Sequence, residues 1–203
     1  MAVVYLAVAT MLPVMLASPA WARVHHNDAW ARKEFAKAER TREALNGRPA
    51  SQRTRHEYQR AIDAYRSVYF GSPTSSKADP SVVATAELMV EMGRRFNDDK
   101  ILREAIDEYR FLRKEYPGSR YRSEALFTIG EIYKDDLNDP AQAQKAFEDF
   151  LHRYPLNRLA EDARAAVKEM DDEATAAKAP KGRKQRGNGK ADHVVAQGAN
   201  GAD

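Results

Sequence analysis

Two glycines 37 residues apart, Gly93 and Gly130, sit in matching surroundings, and that spacing constrains this chain more than any other feature. Around Gly130, the residues Leu126, Ile129, Ile132 and Tyr133 recur at helical spacing on one face. Asn138-Asp139-Pro140 then stops that helix and opens another, with Asp139 placed to cap and Pro140 at the first helical position. Ala143, Phe147, Phe150 and Leu151 form the return face, and Tyr154-Pro155 closes it. Around Gly93, Met89, Met92 and Phe96 precede the turn Asn97-Asp98-Asp99, and Ala105, Tyr109, Leu112 and Pro117 follow it. Pro117 and Pro155 stand 38 residues apart. Small residues facing large ones let two antiparallel helices approach closely, and a second copy at nearly constant offset makes the pattern an internal repeat.

Small and large residues in this order resemble the tetratricopeptide repeat (TPR), over about 86–119 and again over 123–157, the second copy holding one extra residue in its turn. The fold class expected is all-α, a TPR-like solenoid of antiparallel helix pairs. Ahead of the two repeats, Asp28–Leu45 reads as a charged helix with Trp30, Phe35, Ala38 and Leu45 towards one side, closed by Asn46-Gly47. Ser51 is read as opening the next helix, with an apolar face of Tyr58, Ala61, Ile62, Tyr65, Val68 and Tyr69. Residues 28–73 thus form a divergent opening pair. Asp79-Pro80 reads as a cap-plus-proline start for the following helix. After Pro155, Asn157 is placed to cap a final helix, 157–177, whose smaller apolar face is Ala163, Ala166, Val167 and Met170. A terminal helix that seals one side and faces water on the other has this pattern.

Residues 1–22 carry no charge, and Ser18-Pro19-Ala20-Trp21-Ala22 offers small residues at the two positions a signal peptidase reads. This predicts a secretory signal peptide cleaved after Ala22, and hence a periplasmic or secreted protein. The competing reading is an uncleaved membrane anchor. From Lys178 to Asp203 glycine, lysine, asparagine and alanine dominate, so 178–203 is expected to be a disordered basic tail or linker.

The whole chain has 33 basic and 30 acidic residues, and the excess lies in that tail: six Lys/Arg against two Asp from Lys178 onward. The body is balanced, which argues against nucleic acid as a partner. An anionic cell-wall polymer could meet the tail through Lys178, Lys181, Arg183, Lys184, Arg186 and Lys190; a solvated linker is the alternative. No cysteine is present, which excludes disulfides, thiolate metal sites and a cysteine nucleophile. No histidine stands at metal-ligand spacing from a partner, and His25-His26 reads as a polar stub. No catalytic residue, metal site or cofactor is therefore assigned.

The TPR resemblance implies a protein or peptide partner. In such repeats four positions of each first helix point into a groove. By position these are Glu87, Val90, Arg94 and Asn97, then Glu124, Phe127, Glu131 and Lys134. An Arg94/Lys134 pair flanking Val90 and Phe127 would suit an extended peptide with an acidic group and an apolar side chain. Val90 and Phe127 occupy the fifth motif position, so the Lys/Asn set that clamps a C-terminal carboxylate is absent. Ordinary surface residues are the other reading of these eight positions. The run from Tyr116 to Tyr133 is similar to exported bacterial TPR proteins, both periplasmic scaffolds and N-acetylmuramoyl-L-alanine amidases with a TPR-containing N-terminal region. That resemblance implies a non-catalytic scaffold of the cell envelope. The alternative is the leading region of a split or truncated cell-wall amidase, hydrolytic only with a downstream domain.

Overall fold

The computed structural model describes residues 25–178, so the uncharged opening segment and the basic stretch after Lys178 lie outside the described residues. Between them run seven α-helices: α1 (Asp28–Asn46), α2 (Arg55–Gly71), α3 (Ala78–Phe96), α4 (Asp99–Glu115), α5 (Arg122–Glu131), α6 (Pro140–Arg153) and α7 (Ala160–Lys178). No strand occurs among the described residues. Each helix packs mainly on its chain neighbours, giving three antiparallel pairs and a closing helix. This is the stacked arrangement of a TPR-like solenoid.

The glycines explain why the pairs close so tightly. A methyl group at Gly130 would lie 2.7–2.9 Å from three ring atoms of Phe147, and one at Gly93 would lie 2.7–2.8 Å from the Leu102 side chain. In each pair a side chain of the second helix occupies the space that a Cβ of the first would fill. Phe147 is 1% exposed and Leu102 3%. Burial of such a side chain stabilises by roughly 1.5–3 kcal/mol. A third close approach, Gly71 against the Trp30 ring, joins the opening pair.

The two tight turns share one chemistry. Asn97 (φ 50°) and Asn138 (φ 48°) adopt the left-handed conformation, which asparagine tolerates better than most residues. The next residue caps the following helix: Asp98 Oδ1 accepts from the Ile101 N–H (3.4 Å), and Asp139 Oδ1 from the Gln142 N–H (3.2 Å). The pairs differ before the turn. Tyr133 to Ala143 holds one residue more than Phe96 to Ala105, and α5 accommodates it by passing into a π-helical turn, Ile132–Asp136. There the Leu137 N–H donates to the Ile132 carbonyl at 2.9 Å.

Four local expectations need correction. Thr54, not Ser51, starts α2: its hydroxyl accepts from the Glu57 N–H while the Glu57 carboxylate accepts from the Thr54 N–H, a capping box. Ser51 lies in a short 3₁₀ turn, Ala50–Gln52. Asp79-Pro80 does not open α3, which begins at Ala78 with Lys77 at its N-cap and no side-chain cap. Both residues fall in its first turn, where a missing N–H costs nothing and a carboxylate suits the helix dipole. Asn157 accepts from the Leu159 N–H (3.0 Å) in a turn that precedes α7. Finally, His26 is not a loose stub. Its ring stacks on Trp30 with centroids 4.0 Å apart, its N–H donates to the Gly71 carbonyl (2.8 Å), and its carbonyl accepts from the Ser72 hydroxyl (2.6 Å).

Gly130→Ala should destabilise the protein by about 1–3 kcal/mol through overpacking against Phe147, although alanine is the better helix former. Gly118→Ala, whose added methyl meets nothing within 4 Å, is the control and should be near neutral. Urea unfolding followed by circular dichroism compares the two; equal midpoints would contradict the close-approach account.

Candidate functional site

The first helices of successive units, α1, α3, α5 and α7, share one face, and ion pairs tie them side to side. Arg42 on α1 reaches Glu87 (2.8 Å) and Glu91 (3.5 Å) on α3. Arg94 on α3 forks onto Asp136, with Nε and Nη2 donating to its two oxygens at 2.8 and 2.9 Å. Lys134 meets Glu169 on α7 at 2.6 Å. These pairs are partly exposed, so each contributes at most about 1 kcal/mol. Their value lies in fixing the lateral spacing of the helices.

Two clefts open along this face. The first, about 300 Å3, lies between α3 and α5, with Val83 and Glu87 on one wall and Ala125, Glu124 and Thr128 on the other; Tyr109 of α4 and Tyr121 also line it. Burial, reinforced by the charges of Glu87 and Glu124, pushes the Tyr109 phenol up and keeps it neutral. The second, about 410 Å3, lies between α5 and α7. Phe127 and Phe147 give it an apolar wall, Ala165 and Ala166 the opposite one, and Glu131, Lys134 and Glu169 its polar rim. Phe127 stands edge-on to Phe147 and Phe150, with centroids 5.4 and 5.5 Å away, so its ring both packs and lines the cleft.

The eight residues named from the repeat pattern therefore divide. Glu87 and Glu124 line the first cleft, and Phe127, Glu131 and Lys134 line the second. Val90 is 6% exposed and belongs to the core. Asn97 forms the left-handed turn. Arg94 is held by Asp136 and Lys134 by Glu169, so the expected two cations flanking Val90 and Phe127 are instead engaged within the chain. Exposed carboxylate remains in the first cleft, where Glu124 has only a 3.6 Å contact to Arg158. Tyr109, Tyr121, Ala165 and Glu169 were not singled out from the sequence as lining residues. Core spacing places Tyr109 alone among these four and says nothing of the gaps between units, where Tyr121, Ala165 and Glu169 fall.

Among the described residues no set of three or more His, Asp or Glu side chains is grouped to hold a metal ion, and no helix is long and apolar enough to cross a membrane. With this geometry in view, the tetratricopeptide-repeat family model matches residues 124–157. The chain carries a tetratricopeptide repeat. That span covers α5, the π-helical turn and α6, including most of the second cleft's apolar wall. A search of curated proteins found no match.

Partial burial, with Asp135 beside it, holds the Glu131 carboxyl above its ordinary value; Arg94 and Thr128 oppose the shift. Ionised Glu131 thus weighs against the fold at neutral pH. Its favourable contribution is complete below the ordinary glutamate pKa of about 4.3 and is lost as pH rises through the raised value. Glu131→Gln should therefore raise stability at pH 7 by up to about 1 kcal/mol, and the gain should vanish below about pH 4. Urea midpoints at the two pH values test this; a gain of the same size at both would refute the charge assignment.

Proposed function

We propose that this protein is a non-catalytic scaffold of the cell envelope that seats a segment of a partner protein along the face shared by α3, α5 and α7. The observation that carries the reading is the pair of clefts on that face, one of them walled on one side by the matched repeat and on the other by α7. Tetratricopeptide repeats mediate protein–protein interactions, which supports a protein partner in general. The uncharged segment 1–22 supports export, and the Tyr116–Tyr133 run supports the envelope as the compartment.

The geometry narrows the partner's chemistry. The apolar wall of Phe127 and Phe147, opposite Ala165 and Ala166, suits an aliphatic or aromatic side chain. In the first cleft Glu87 is already paired with Arg42, so Glu124, beside tyrosines and with no cation in the lining, is the carboxylate left to take a lysine, an arginine or another hydrogen-bond donor. A segment presenting an apolar residue and a basic one is thus a better complement than one with an acidic group. Binding would rest on burying the apolar anchor, with the charged contact setting orientation.

Two surface substitutions test the seat without opening the core: Ala165→Trp fills the second cleft and Glu124→Lys inverts the charge of the first. Relative to wild type, each should reduce recovery of a specifically captured envelope protein about 10-fold or more, the loss of an interface anchor. Quantitative mass spectrometry reads the recovery, and circular dichroism checks that melting is unchanged. Undiminished recovery with both variants would sink the proposed seat. Fusing residues 1–45 to a phosphatase active only outside the cytoplasm tests export separately.

A further inference from the structure

On the opposite side, the second helices α4 and α6 enclose a cleft of about 380 Å3 whose charge differs from that of both clefts described above. Arg110 and Arg113 enter it from α4, and Lys145 and Arg153 from α6, against a single lining carboxylate, Asp149. The lining therefore carries a net charge of +3. Just outside it, Asp107 takes up part of the Arg110 charge at 3.1 Å.

The donors are only partly used. Asp149 is shared between Arg153 (2.6 Å) and Arg113 (3.4 Å). The Arg113 Nε is buried with no acceptor. Arg110 gives one N–H to the Tyr133 hydroxyl at 3.0 Å. Lys145 is exposed and makes no ion pair among the described residues. Beneath the cations lie Leu126, Ile129 and the Tyr133 ring, an apolar floor.

We propose that this cleft is a binding site for a small phosphorylated organic molecule, its phosphate held by Arg110, Lys145 and Arg153 with Arg113 behind them, and its organic part on the apolar floor. Three considerations favour phosphate chemistry. The surplus positive charge exceeds what one carboxylate neutralises. Several guanidinium forks offer parallel N–H pairs that match phosphate oxygens. The volume exceeds that of an isolated ion and leaves room for an attached group. Asp149 then acts as a stand-in anion that holds the arginines in place and is displaced or out-competed on binding. The site is independent of the α3–α5–α7 face, so either can fail without the other.

Inorganic diphosphate is the probe, titrated into the full chain at low salt, with calorimetry for affinity and amide NMR for location. Shifts should concentrate at 110–113 and 142–153. Lys145→Ala with Arg153→Ala should weaken binding about 10-fold or more. Asp149→Asn should tighten it, about 2- to 5-fold, by releasing Arg113 and Arg153; a purely structural role for Asp149 predicts no gain. Citrate, of similar charge but with carboxylates, should bind more weakly than diphosphate. The proposal is overturned if shifts fall only on residues 179–203, if citrate binds as well as diphosphate, or if Asp149→Asn weakens binding in a chain whose melting is unchanged.

Discussion

The contact on which this structure depends is a side chain resting where a Cβ would be. Phe147 lies against Gly130 and Leu102 against Gly93, each closer than a methyl group would permit. The short connection makes the two helices antiparallel, and the glycine lets their backbones come this near. The apolar residues on the flanks of the contact are then turned towards a neighbouring helix, as Leu126 and Ile129 are towards the cleft between α4 and α6. Leu126, Ile129 and Phe150 are all buried for that reason. The closing helix α7 buries only Ala160, Ala163 and Met170, since among the described residues it has a neighbour on one side alone.

That contact is also what the sequence makes legible. Glycine, alanine and aromatic residues at fixed offsets carry the close approach on their face, so the helix pairs can be named in advance with much of their core, though Leu102, Ile106 and the buried Val82, Leu88 and Val90 of α3 fall outside that pattern. Turn chemistry is legible where it is local: Asn138-Asp139 behaves as its residue types suggest. It misleads where several candidates crowd together. Ser51 and Thr54 are both competent caps, and only Glu57, three residues beyond Thr54, completes the box. Asp79-Pro80 has the look of a helix start but sits just inside the first turn, because Pro80 loses nothing at a position whose N–H has no acceptor.

The candidate site was less legible. Arg94 and Lys134 are surface cations by pattern, and nothing local reveals that Asp136 and Glu169 take them. Asp136 gets its position from the π-helical turn, one residue's worth of slack that a periodic reading cannot orient. The cationic cleft is hidden in the sequence for a related reason. Arg110 and Arg113 on α4, and Lys145 and Arg153 on α6, are each an ordinary charged stripe; they become a site only because two such stripes face each other. The molecule thus presents two different surfaces, apolar and acidic along its first helices, basic between its later second helices.

The ties between units have a direction. On the first-helix face Arg42 meets Glu87, Arg94 meets Asp136 and Lys134 meets Glu169; on the other, Arg66 meets Glu108 and Arg113 meets Asp149. In each of these five the cation belongs to the earlier unit and the carboxylate to the later; the longer Arg158–Glu124 contact (3.6 Å) runs the other way. The array is therefore electrically vectorial, like a row of magnets laid head to tail. A unit turned end for end would set cation against cation, so these charges oppose reversed stacking.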